Sequence, residues 1–219
     1  IISGMRAPRT VHLDIVDYPG EWVLDLPLLS QSYAQWSAAS LALAGQGARA
    51  DFANAWMGMD VDPSAKLDEA VAQSVAGAFT TYLSACREAG FSACSPGRFL
   101  MPGDLAGSPA LTFAPLMGSG GRGTLYREFE RRFEAYKSKV VKPFFRDHFA
   151  RIDRQVVLVD ALGALHAGPQ AVHDLGVAMA DILNCFKTGQ NGILSALLGK
   201  SVERILFAST KADHLHSAQ

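Results

Sequence analysis

The chain has 219 residues, 49% of them hydrophobic, which is enough apolar mass for a buried core. Twenty basic against twenty-one acidic side chains leave a net charge of −1, which excludes a global field that would recruit nucleic acid or an anionic membrane. Cys86, Cys94 and Cys185 are odd in number and lack C-x-x-C spacing, which argues against a disulfide framework or a zinc site, and no apolar run is long enough to span a bilayer. A reducing, cytoplasmic setting is the expectation.

In chain order, residues 10–17 (Thr-Val-His-Leu-Asp-Ile-Val-Asp) are rich in β-branched and apolar residues and stop at Pro19-Gly20, the pattern of a strand ending in a turn. Ile1-Ile2-Ser3 carries no initiator Met, so the chain reads as an internal fragment of a longer protein. Residues 33–44, 48–57 and 66–89 carry apolar residues at helical intervals, with Asp62-Pro63-Ser64 as a helix start. Residues 90–123 concentrate Gly and Pro and predict an irregular, partly mobile connector. Residues 124–142 read as a charged helix with Leu125, Phe129, Phe133, Tyr136 and Val140 on one stripe, interrupted by Pro143 before 144–152.

Two further apolar runs, 155–160 and 204–209, read as strands. Between them, 169–186 places Val172, Leu175, Met179, Ile182, Leu183 and Phe186 at helical spacing. Strand, helix, strand is the unit of a parallel α/β sheet covered by helices. The expected organisation is an α/β core built from 1–29 and 150–219, split by a mainly helical insertion over 30–149.

Two motifs follow strands. Asp17-Tyr18-Pro19-Gly20 has the form D-x-x-G: the carboxylate can hold Mg²⁺ through a water, and the Gly20 N–H can approach a γ-phosphate with no side chain in the way. Thr210-Lys211-Ala212-Asp213 has the form [N/T]-K-x-D: Asp213 can accept from guanine N1–H and its exocyclic amine while the Lys211 stem lies over the ring. Each pattern alone also suits an ordinary polar turn; their order and placement raise the joint reading to guanine-nucleotide binding. Glu21 stands where many GTPases carry a residue that orients the attacking water, and it suits a solvent-facing helix start equally well.

A G-x-x-x-x-G-K-[ST] phosphate loop is nowhere in the sequence. Gly118-Ser119-Gly120-Gly121-Arg122-Gly123-Thr124 mimics one but lacks its Lys and follows no strand, so it reads as a loop. Asp60 and Asp62 resemble an EF-hand opening without its Gly or closing Glu. His214 and His216 read as surface residues, Arg146, His148, Arg151 and Arg154 as a solvated or ion-paired basic face, and Asp160, near the expected ligand edge, as a helix cap or turn carboxylate.

The run from Arg9 to Trp22 with Asp25-Leu26-Pro27-Leu28, the run Val141-Lys142-Pro143-Phe144-Phe145-Arg146-Asp147-His148-Phe149-Ala150-Arg151-Ile152-Asp153-Arg154-Gln155, and Ala208-Ser209-Thr210-Lys211-Ala212-Asp213-His214 resemble the YcjX-like family of bacterial P-loop NTPases. The resemblance implies a Ras-like P-loop NTPase sheet with a large helical insertion after D-x-x-G, and a GTPase activity sometimes labelled ATPase. It also implies GTP/GDP and Mg²⁺ as ligands, and a stress-associated role with a membrane-protein partner at the inner membrane. Asp17 carries over to the metal, Gly20 to the γ-phosphate, and Thr210, Lys211 and Asp213 to the base, while the family's phosphate loop has no counterpart here. The alternatives are a catalytically weak nucleotide-binding or scaffold module, or an ATP-preferring enzyme.

Overall fold

The computed structural model describes residues 12–149, 152, 154–186 and 204–211. It is mostly helical, with one small parallel sheet. The first helix, α1 (Tyr33–Ala44), starts where sequence chemistry dictates: the Gln35 amide donates to Ser32 Oγ at 3.3 Å and the Ser32 amide donates to Gln35 Oε1 at 2.9 Å, a reciprocal capping box. Helix α2 (Ala48–Met57) follows over the span its periodicity predicts. Helix α3 (Glu69–Glu88) starts later than expected. Asp62 is engaged in a local turn, accepting from the Ser64 amide at 2.8 Å, and Asp68 caps the helix by accepting from Ala70 N at 2.8 Å.

These helices close around aromatic rings. Trp36 of α1 stacks on Phe133 at 4.9 Å between centroids, Phe79 of α3 lies 4.8 Å from Trp56, and Phe113 meets Phe99 edge-on at 5.0 Å. Such pairs add about 0.5–1.5 kcal/mol each beyond the area they bury. The connector after α3 is irregular apart from short turns and α4 (Gly97–Leu100), as its Gly and Pro content predicts. It still contributes Phe91, Phe99 and Phe113 to the same core.

Helix α5 (Leu125–Tyr136), capped by Thr124, buries Leu125, Phe129, Phe133 and Tyr136. Pro143 does not stop it. The chain passes through a π-helical turn, Lys137–Val141, and continues as α6 (Lys142–Phe149) with Pro143 in its first turn, where a missing N–H is tolerated. The wider turn re-phases the buried stripe, so that Val141 rather than Val140 becomes fully buried.

Strands β1 (Arg154–Val159) and β2 (Arg204–Ser209) pair in parallel, from Arg154 opposite Arg204 to Val159 opposite Ser209. Helices α7 (Ala161–Ala167), which the sequence did not reveal, and α8 (Pro169–Phe186) follow β1. Two expectations are corrected here. The described part of the predicted first strand, residues 12–17, has no regular structure, and Leu13 and Ile15 are about four-fifths exposed (80% and 83%). β-branched composition supplies propensity, but a segment without a neighbouring strand gains no ladder. The inward face of α8 is made by Ala171, Asp174, Ala178, Ile182 and Cys185, leaving Val172 and Leu183 substantially exposed, because the helix is oriented by polar ties to the α2 region.

Candidate functional site

The Asp17-Tyr18-Pro19-Gly20 turn is fastened by its tyrosine. Gln155 Nε2 donates to Tyr18 Oη at 2.8 Å, and the Tyr18 ring meets Phe144 edge-on at 5.7 Å. Burial pushes the Tyr18 phenol up to about 12, so it stays protonated. Asp17 and Gly20 are both exposed. Among the described residues no three His, Cys, Asp or Glu side chains converge as a metal cage. An exposed single carboxylate leaves room for an ion that keeps most of its water, as Mg²⁺ does.

Thr210 and Lys211 lie beyond the carboxyl end of β2. The Thr210 amide and hydroxyl both donate to the Val159 carbonyl, at 2.9 and 3.3 Å, which fixes the turn to the end of β1. Lys211 Nζ donates to Asp160 Oδ2 at 2.6 Å. That hydrogen bond, the Gly163 amide and the lysine charge hold the Asp160 carboxyl below its usual range. Asp160 caps α7 through Gly163, as its position after a strand suggests. Asp213, His214, His216 and Arg151 lie outside the described residues.

The two motifs are not brought to one edge. Tyr18 reaches the second residue of β1, whereas Lys211 pairs with the residue just after its last, about 16 Å further along at the usual strand rise.

The segment after Gly20 is a 3-10 helix, Gly20–Ser30, held by three side chains. Glu21, the candidate water-orienting residue, forms an ion pair with Arg87 of α3. Trp22 donates to the Met101 carbonyl at 3.0 Å, and the Arg98 guanidinium lies 3.2 Å over its ring. Asp25, which sequence reasoning missed, is fully buried, accepting from the Tyr136 hydroxyl, from the Gly97 amide at 2.7 Å and from Ser95 Oγ at 3.3 Å. Burial raises its carboxyl to about 6 against the pull of these donors. Gly97 fits only because it lacks a side chain: a Cβ there would lie 1.8 Å from the Glu21 carbonyl oxygen.

A second buried charge was also missed. Arg49 donates to Asp174 Oδ1 at 2.7 Å and to the Ala93 carbonyl at 3.1 Å, while Asp174 Oδ2 accepts from the Ser92 and Ala93 amides, both at 2.7 Å. Burial is the largest single influence and works against the guanidinium, but the Asp174 charge, Cys94 and Tyr82 together outweigh it and raise its pKa. An Asp on a helix offers no sequence signal for this, since its partner lies 125 residues away. The glycine-rich loop before Thr124 ends in the α5 cap, Arg146 pairs with Asp147, and Asp62 closes its own turn.

A strand–helix–strand unit with a Thr-Lys turn at its carboxyl end, preceded by D-x-x-G and a helical region, is the arrangement on which the comparisons with known proteins bear. The family model described as "YcjX-like family, DUF463" matches residues 1–219, and the chain belongs to this family. It is 41% identical over 227 residues to the "Ras-like GTPase YcjX" of Escherichia coli (strain K12), covering 98% of this chain and 49% of that protein. It is 36% identical over 230 residues to the "Ras-like GTPase YcjX" of Shewanella oneidensis, covering 98% of this chain and 47% of that protein. The chain spans about half the length of these curated relatives. No helix among the described residues is long and apolar enough to cross a membrane.

Proposed function

We propose that the chain carries two corners of a guanine-nucleotide site in a Ras-like P-loop GTPase, with its core in 1–29 and 150–219 and a helical insertion over 30–149. Thr210, Lys211 and Asp213 read the base, Gly20 approaches the γ-phosphate, and Asp17 holds Mg²⁺ through a water. The ion would neutralise charge on the β- and γ-phosphate oxygens. The phosphate-cradling Lys and Ser/Thr are supplied from outside these 219 residues. What most supports the reading is the Thr210-Lys211 turn at the carboxyl end of a parallel strand, where open α/β sheets bind ligands, in a chain whose relatives are named Ras-like GTPases.

Nucleotide binding then has mechanical work to do. Residues 12–20 must shift so that Asp17 and Gly20 reach the edge that carries Lys211. Because Glu21, Trp22 and Asp25 are tied to α3, Arg98 and Tyr136, that shift pulls on the helical region, which presents the changed surface to a protein partner, a membrane protein in this reading.

The test uses the complete protein. GTP should bind more tightly than ATP, Asp213→Asn should weaken GTP binding at least tenfold, and Asp17→Ala should abolish Mg²⁺-dependent turnover. A preference for ATP, or GTP affinity unchanged in Asp213→Asn, sinks the proposal. The Glu21–Arg87 ion pair favours one variant of this reading, a switch that binds tightly and turns over slowly, since that carboxylate is already engaged. Single-turnover rates for Glu21→Gln equal to the parent's would support it, and a large loss would return Glu21 to the chemistry.

A further inference from the structure

Asp160 has two jobs that use different oxygens. Oδ1 accepts from the Gly163 amide at 2.8 Å as the cap of α7, and Oδ2 accepts from Lys211 Nζ at 2.6 Å. The carboxylate is therefore oriented by a helix before the lysine meets it. Gly163 leaves the room this carboxylate needs, because a Cβ there would lie 2.9 Å from the Asp160 carboxylate carbon.

The lysine is similarly prepared. Its φ of 58° lies in the left-handed region, which non-glycine residues seldom adopt, and the preceding Thr210 is fixed to Val159 by its amide and its hydroxyl. Both partners of the pair remain largely exposed, at 60% for the lysine side chain and 43% for the aspartate. Exposed ion pairs contribute little to folding, so stability does not account for a strained backbone and a directed carboxylate meeting at the ligand edge of the sheet.

We infer that Asp160 is a positioning residue for the nucleotide base: it anchors the Lys211 ammonium at the end of β1, so that the four-carbon stem is laid across the strand ends as an apolar rest for a purine ring. The inference rests on the base-reading role proposed for Thr210, Lys211 and Asp213, and adds to it a residue 51 positions upstream of Lys211.

Asp160→Asn separates the two jobs, because an asparagine caps a helix as well as an aspartate does but cannot pair with the ammonium. In the complete protein, titrated with fluorescent GDP and with ADP, Asp160→Asn is expected to weaken GDP binding about two- to fivefold, within the span of an exposed ion pair. It should narrow the GDP-to-ADP preference and leave the unfolding midpoint unchanged. Lys211→Ala should cost at least as much, and the double variant no more than Lys211→Ala alone. Gly163→Ala, which displaces the carboxylate and keeps its charge, should reproduce the loss. If Lys211→Ala weakens GDP binding while Asp160→Asn does not, or if the two losses simply add, Asp160 is a helix cap and nothing more. If the parent protein binds no GDP, or Lys211→Ala binds it unchanged, the base-reading role has failed and this inference falls with it.

Discussion

The helical region and the two-stranded sheet solve the burial problem differently. Around Trp36, Phe79, Phe113 and Phe133 every large ring is enclosed by others from α1, α3, α5 and the connector. On the sheet, Gln155, Val157, Ile205 and Phe207 turn towards the protein, while Val156, Leu158 and Leu206 stand more than half exposed on the opposite face. Parallel sheets are ordinarily covered on both faces. The helical region contains its own core, whereas the sheet shows only one packed face among the described residues.

The largest effect is expected from cutting the ion pair that ties α2 to α8. Arg49→Ala leaves Asp174 of α8 buried without its cation and should cost about 3–5 kcal/mol in urea-induced unfolding. A loss under about 1 kcal/mol would mean that α8 and α2 are not joined in solution.

Next in size is a pH effect at Asp25. In the unfolded chain its carboxyl titrates near 3.8, and in the folded protein near 6. Between these values the folded state holds the extra proton. Its stabilising contribution is full below about pH 4 and is lost as pH rises through about 6, a total of roughly 2–3 kcal/mol. Asp25→Asn keeps one acceptor for the Gly97 amide and does not titrate. The stability difference between parent and variant should therefore shift in the variant's favour from pH 4 to 7, and a flat difference would show that Asp25 is not buried as described.

The smallest effect belongs to the sheet's outer face. Leu158→Thr places a β-branched strand former at an exposed position and should change the stability of the 219-residue chain by less than about 0.5 kcal/mol. A loss comparable to that of a core substitution would show that this face is covered.

Much of the helical architecture was legible in the sequence. The spans of α1, α2, α8 and β2 follow from periodicity and caps, because those signals are local. What escaped depended on distant partners. Residues 12–17 have a strand's composition, but pairing is a property of two segments. The face that α8 buries is chosen by Arg49, which no periodicity reveals. The π turn answers Pro143 by widening a helix where sequence rules predict a break. At the site, Asp160 was legible as a cap, but its contact with Lys211 needed the parallel register of β1 and β2. Asp25 lies five residues after Gly20 and belongs to a run that carries the family resemblance, but its buried role gave no signal, since a lone carboxylate in an apolar run resembles any turn residue until Tyr136 and Gly97 are seen around it.

The stacking of Trp22 between Arg98 and the edge of Phe144 gives the protein a built-in optical probe. Of the three tryptophans, Trp36 and Trp56 are sealed in the aromatic core and report on global unfolding. Trp22 sits two residues past Gly20, with a guanidinium against its ring and its indole N–H on a backbone carbonyl. A displacement of that segment relative to α4 separates the indole from the cation and changes its emission, while Trp36 and Trp56 report on the core behind it.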